Sequence, residues 1–209
     1  MPNDYNNIAK FYDALSRIVY QKSIVKAQVF LIQLIKNNDA ILIVGGGTGW
    51  ILKEIAKLQR QNLSIVYVEK SSAMVELAKK KNHTGLHTTF IQKGIEEYNT
   101  DEKFDVVITA FLFDNFKEDK IKSVFTMLDN LLKKEGIWLY ADFVNDQSNK
   151  KIWQQFLLKS MYVFFRITAG IETQELIDMR PYFANSYQLI TEQFYYSRFI
   201  QAKAHRKIK

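Results

Sequence analysis

The chain contains no cysteine, which removes disulfides, thiolate nucleophiles and cysteine-bound zinc from the chemistry open to it. Proline is nearly absent, two in 209 residues, and glycine is sparse at eight, so little material exists for a flexible linker. No apolar run approaches the roughly 18 residues that span a bilayer; the stretches around Val29–Ile35 and Met161–Phe165 are far shorter. The opening Met1–Asn7 is polar and carries Asp4 where a signal peptide has a basic segment, which predicts a cytoplasmic protein without a leader. The three histidines, His83, His87 and His205, lack a surrounding set of ligating side chains, so no metal site is expected. No Ser-His-Asp set announces itself.

What remains is an ordinary globular composition, 47% hydrophobic and 24% charged, in a length that one domain accommodates. Net charge is +7, but the excess is scattered over Lys79–Lys81, Lys133-Lys134, Lys150-Lys151 and the tail. Scattered lysines read as a solvated surface. A nucleic-acid partner is therefore not expected.

Residues 6–36 carry apolar side chains at spacings of three and four, the pattern of an amphipathic helix, and Asn37–Asp39 end it. From Ala40 the pattern changes. Ala40–Val44 is a continuous β-branched run, as expected of a strand buried on both faces of a parallel sheet. Further strands are predicted at 65–68, 88–91, 104–110 and 137–141, alternating with helices after Gly49 and over 73–81 and 121–132, the last stopped at Gly136. This alternation is a doubly wound α/β sheet. Beyond Asp142 come an aromatic-rich helix over 152–165, a helical piece over 173–183 interrupted near Pro181, and two strands, 187–196 and 198–205. No helix fits between that last pair, so they form an antiparallel hairpin.

The most informative segment is Gly45-Gly46-Gly47-Thr48-Gly49-Trp50, directly after the first strand. Glycines there let the chain turn sharply and bring its backbone against a ligand, at the positive end of the next helix. Twenty residues past Gly49, Glu69 ends the second strand, where a carboxylate accepts hydrogen bonds from ribose hydroxyls. The pair predicts a site for a nucleoside-bearing cofactor. A dinucleotide fingerprint requires a third glycine where Trp50 or Leu52 stands, and the lysine of a triphosphate loop is missing.

These residues resemble the class I S-adenosylmethionine-dependent methyltransferases. Gly45–Gly49 is similar to their first motif and Val68–Met74 to their second. Lys93–Glu96 resembles the adenine-side motif, Phe104–Phe111 the fourth strand, and Leu128–Trp138 the segment leading to the fifth. The opening Tyr5–Asp13 is similar to the quinone-biosynthesis C-methyltransferase branch. The resemblance implies a single Rossmann-like domain with a mostly parallel seven-stranded sheet, a C-terminal antiparallel hairpin and helices on both faces. It divides into an N-terminal helical cap (1–38), a cofactor-binding core (39–145), a helical insertion covering the acceptor (146–186) and the closing hairpin (187–209).

The implied cofactor is S-adenosyl-L-methionine, held by Gly45, Gly46, Gly47, Thr48, Gly49, Glu69, Lys70, Met74, Gly94, Ile95, Thr109 and Ala110. Two positions depart from the family pattern: Ile43 stands where an acid often precedes the first glycine, and Gly94 where an aspartate is common. The Asn/Asp-Pro-Pro-aromatic motif of amino-group methyltransferases is replaced by Thr109-Ala110-Phe111-Leu112. The implied activity is methyl transfer to a small hydrophobic or aromatic acceptor; the alternative is a catalytically silent fold serving as a binding or regulatory subunit. Asp114 is the candidate catalytic carboxylate, and Tyr5, Tyr12, Phe111 and Phe113 are candidate acceptor contacts. Lys150, Lys151, Lys159 and Arg166, beside the apolar face of 152–165, suggest peripheral contact with a membrane surface.

Overall fold

The computed structural model describes residues 23–81, 84–144 and 177–209. The expectations placed on Tyr5, Tyr12, His83, the 152–165 helix and its flanking cations lie outside the described residues. Seven strands form one sheet: β1 (Ala40–Val44), β2 (Ser64–Val68), β3 (His87–Ile91), β4 (Phe104–Ala110), β5 (Leu132–Phe143), β6 (Tyr187–Tyr195) and β7 (Ile200–Lys207). Their spatial order is β3-β2-β1-β4-β5-β7-β6. The first five run parallel, while β7 lies antiparallel to both β5 and β6.

Alternation along each strand feeds two cores. Ile41, Ile43, Ile65, Tyr67, Ile108, Leu139 and Ala141 face α1 (Ser23–Ile32) and α2 (Trp50–Lys57). Leu42, Val44, Val107, Trp138 and Tyr140 face α4 (Glu118–Leu131) on the other side. A third helix, α3 (Ser72–Lys79), follows β2, and its Ser71 cap accepts a hydrogen bond from the Met74 amide. In α4, Ile121, Val124, Phe125, Leu128 and Leu131 are buried at helical spacing, and Glu118 and Asp119 in the first turn complement the helix dipole. Phe125 stacks on Trp138 with centroids 4.7 Å apart, and Phe183 and Tyr187 meet both rings edge-on. The Trp138 indole donates to Thr109 Oγ1 at 2.8 Å, so the fully buried threonine hydroxyl is satisfied.

Two details differ from the sequence expectation. Helix α4 ends at Leu131, not at Gly136, because the chain pairs at once as β5. The register then jumps, Leu132 opposing Phe104 and Ile137 opposing Val106, and the loop-out turns through Glu135 at φ 63°. Pro181 stands in the first turn of the short helix α5 (Arg180–Phe183) and does not interrupt a longer one. Proline has no amide to lose in a first turn.

Candidate active site

The sheet order reverses between β1 and β4, and a crevice opens beyond the carboxyl ends of such strands. The glycine loop sits there. Gly45, Gly47 and Gly49 have φ of 65°, 63° and 76°, a left-handed backbone that side chains with a Cβ resist. Gly46 is required for a different reason: a Cβ would lie 2.3 Å from the Tyr67 ring, whose hydroxyl donates to the Gly47 carbonyl at 2.9 Å. At Gly49 a Cβ would meet Ala78 of α3 at 2.5 Å, so this glycine also sets how closely the two helices approach.

Glu69 is 4% exposed and turned toward this loop. Its carboxylate accepts from the Gly47 amide at 3.0 Å and from the Ser71 amide at 2.8 Å. Burial pushes its pKa upward, opposed by the amides of Ser71, Gly47 and Lys70. A carboxylate offers about four lone-pair directions, so two amide bonds leave room for further donors. A cleft of about 40 Å³ beside the loop is lined by Gly45–Thr48, Trp50, Ala110 and Phe111, with Ile24 and Gln28 reaching in from α1.

The remaining sequence-predicted residues separate into two groups. Thr48, Ala110 and Phe111 stand at the cleft, and Phe111 packs against Phe143 with centroids 4.9 Å apart. Lys70 lies 4.0 Å from Glu96, which Lys120 also engages at 2.6 Å. By contrast Met74, Ile95, Thr109 and Phe113 do not line that cleft and are buried, at 2%, 3%, 0% and 3% exposure. Phe113 lies against Trp138 and Tyr140, so its ring belongs to the core and is not an open acceptor wall as the sequence suggested. Gly94 leaves no space for a Cβ, which would stand 2.7 Å from the Glu96 carboxylate.

Asp114 follows β4 in a short 3₁₀ turn (Phe113–Asn115) and accepts from Asn115 Nδ2 at 2.6 Å. Its neighbour is a carboxylate that sequence reasoning missed, Asp142 near the end of β5, only 3% exposed. Asp142 accepts from the Phe143 amide at 2.8 Å, from the Phe113 amide and from the Tyr140 hydroxyl. Burial raises both acids, and the Asp142 charge raises Asp114 further. Asp142 is pushed up to about 7. Two buried carboxylates in Coulombic reach hold one proton between them more readily than none. The available signal for Asp142 was an acid ending the apolar run 137–141; for Gln28 it was a polar residue on the apolar face of a helix.

Comparison with known proteins agrees with this geometry. A methyltransferase-domain family matches residues 41–136. The malonyl-[acyl-carrier protein] O-methyltransferase of Priestia megaterium is 34% identical over 145 residues, 68% of this chain and 50% of the relative. A ubiquinone/menaquinone biosynthesis C-methyltransferase of Wigglesworthia glossinidia brevipalpis is 30% identical over 147 residues, 66% of this chain and 57% of the relative. The chain thus spans about half the length of these curated relatives. Among solved structures, the magnesium protoporphyrin IX methyltransferase of Synechocystis with bound S-adenosylhomocysteine superposes with a TM-score of 0.65 at 16% identity, covering 94% of this chain and 87% of that one. That likeness shows the fold. The fold and loop define a Rossmann-like methyltransferase domain. Residues 41–136 are a methyltransferase domain of the class I S-adenosylmethionine-dependent type, whose cofactor is S-adenosylmethionine.

Proposed function

We propose that this chain transfers the methyl group of S-adenosylmethionine to a small acceptor with a flat, apolar body. The observation that carries the reading is Glu69 fixed over the glycine loop by the Gly47 and Ser71 amides, at the crevice where the strand order reverses. Glu69 would take the ribose hydroxyls. Gly45–Gly49 would bring backbone amides against the amino-acid end, with Gln28 beside it. The cleft next to the loop admits a small polar group and not a whole nucleoside, so the adenosine would extend along the rim past Lys70 and Gly94 toward Ile95.

Bound S-adenosylmethionine would supply an electrophilic methyl group on a sulfonium, the acceptor forming its new bond to that carbon as the carbon–sulfur bond breaks and a neutral thioether leaves. The chain must then orient the acceptor, exclude water and receive a proton where the acceptor bears one. Phe111 and Phe143 form an apolar wall at the carboxyl ends of β4 and β5. Asp142, titrating near neutrality beside Asp114, is suited to take that proton, with the Tyr140 hydroxyl holding its orientation. The relatives named for malonyl O-methylation and for quinone-biosynthesis C-methylation support an acceptor other than nucleic acid.

The reading is tested by incubating the protein with methyl-labelled S-adenosylmethionine and a panel of hydroxy- and carboxy-substituted aromatic compounds. Label transfer to at least one compound, abolished in Glu69→Ala, is the expected outcome. Absence of S-adenosylhomocysteine binding would overturn it and favour the silent-subunit alternative.

A further inference from the structure

A second cavity, of about 140 Å³, lies on the α4 face of the sheet between β5, β7 and α5, separate from the glycine-loop cleft. Its walls include Tyr140, Met179, Phe183, Gln201, Lys203 and His205. A cavity near 150 Å³ accepts one benzene ring. Two aromatic groups are already arranged as a flat boundary: His205 stacks on Phe183 with centroids 4.1 Å apart and planes 7° from parallel.

Gln201 is engaged here, donating to the Phe143 carbonyl at 3.4 Å and meeting the Tyr140 hydroxyl, but His205 is not. His205 is 8% exposed, and among the described residues its Nε2 has no hydrogen-bond partner. Burial holds the imidazole neutral, its pKa lowered to about 4, with the Lys203 charge acting in the same direction. Such a nitrogen costs free energy unless something fills its bond. Lys203 is also largely enclosed, with 15% of its side chain exposed; among the described residues it stands 5.9 Å from the Phe194 ring and pairs with the half-exposed Glu192 at 3.6 Å. That separation exceeds the 2.7–2.9 Å of a charge-assisted hydrogen bond. A second cation, Arg180, stands at the rim and is satisfied by Asp178 at 2.8 Å.

The strand register gives the cavity a direction. Tyr140 opposes Lys203, and two residues further along the strand Asp142 opposes Gln201. At about 3.3 Å per residue, the backbone positions of Lys203 and Asp142 are offset by roughly 7 Å along the strand direction.

We infer that this cavity receives the acidic end of the methyl acceptor, a carboxylate on a planar ring, with Lys203 as the counter-charge and His205 Nε2 as a neutral donor. This rests on the proposed methyl transfer for its purpose, but the binding itself does not depend on the glycine loop. Lys203 and His205 are positioning residues: they hold the far end of the ring while its other end points toward Asp114 and Asp142.

The test titrates the full chain with benzoate, and separately with benzamide, while following the His205 imidazole signals by NMR. It is run with and without S-adenosylhomocysteine, whose own binding is measured by calorimetry. Benzoate is expected to shift the His205 signals. It should bind roughly tenfold or more tightly than benzamide and lose that margin in Lys203→Met, since one charge-assisted bond is at stake. His205→Phe keeps the ring stack without a donor and should weaken benzoate binding, which covers the case where Lys203→Met fails to fold. Unmoved His205 signals, equal affinity for both probes, or undiminished binding in the folded variants would each overturn the inference. Failure of S-adenosylhomocysteine to bind while benzoate still shifts His205 would instead refute only the methyltransferase reading.

Discussion

Replacing Asp142 by asparagine should change how stability depends on pH. The carboxyl is 3% exposed and displaced by burial from an ordinary 3.8 to about 7. Between those two values the folded protein retains a proton that the unfolded chain has released. Stability therefore falls as pH rises through the window; the penalty is absent below pH 3.8 and complete above about 7. At about 1.36 kcal/mol per pH unit the ceiling is about 4 kcal/mol, and sharing the proton with Asp114 reduces the effect for one residue to about 1–3 kcal/mol. Asparagine keeps an oxygen for the Phe113 and Phe143 amides and places its NH₂ beside Asp114, so the exchange removes the charge with little change in shape. Urea denaturation at pH 5 and pH 8 should show a variant whose advantage over wild type is about a third of that amount at the lower pH, complete at the higher pH, with a shallower slope between them. A variant less stable than wild type at pH 8, or an unchanged slope, would refute a shared proton at these acids.

Other substitutions test other layers. Gly46→Ala drives a methyl group into the Tyr67 ring at 2.3 Å; it should destabilise the protein by about 1–3 kcal/mol in thermal melts and lower S-adenosylhomocysteine affinity. Trp138→Phe strands the buried Thr109 hydroxyl and should cost about 1–3 kcal/mol, whereas Trp138→Phe with Thr109→Val should recover part of the loss. Phe125→Ala empties the centre of the aromatic cluster between α4 and the sheet and should cost about 3–5 kcal/mol, read from the urea midpoint.

The parts of the fold that the sequence exposes most clearly are those whose neighbours are close along the chain. Ala40–Val44 is apolar throughout because helices cover both faces, and such a run leaves little choice of structure. The hairpin of β6 and β7 followed from the few residues between two strand-like runs. Gly45–Gly49 was legible because a sharp turn into a helix has a strong local signature. Asp142 was not, since its meaning depends on Asp114, brought beside it only when β4 and β5 pair. The same holds for His205: an isolated histidine in the sequence becomes a buried imidazole only when β7 inserts between β5 and β6 and α5 folds over it. Phe113 misled in the opposite sense, because a turn residue near a predicted cofactor edge looks exposed until Trp138 and Tyr140 enclose it.

The grip of Glu69 over the glycine loop is measured by isothermal calorimetry with S-adenosylhomocysteine. Wild type should bind with one-to-one stoichiometry, and Glu69→Gln, which keeps the shape but removes the charge from the ribose hydroxyls, should bind roughly tenfold or more weakly. Equal affinity of the two proteins, each shown to be folded by its melting curve, would contradict that grip.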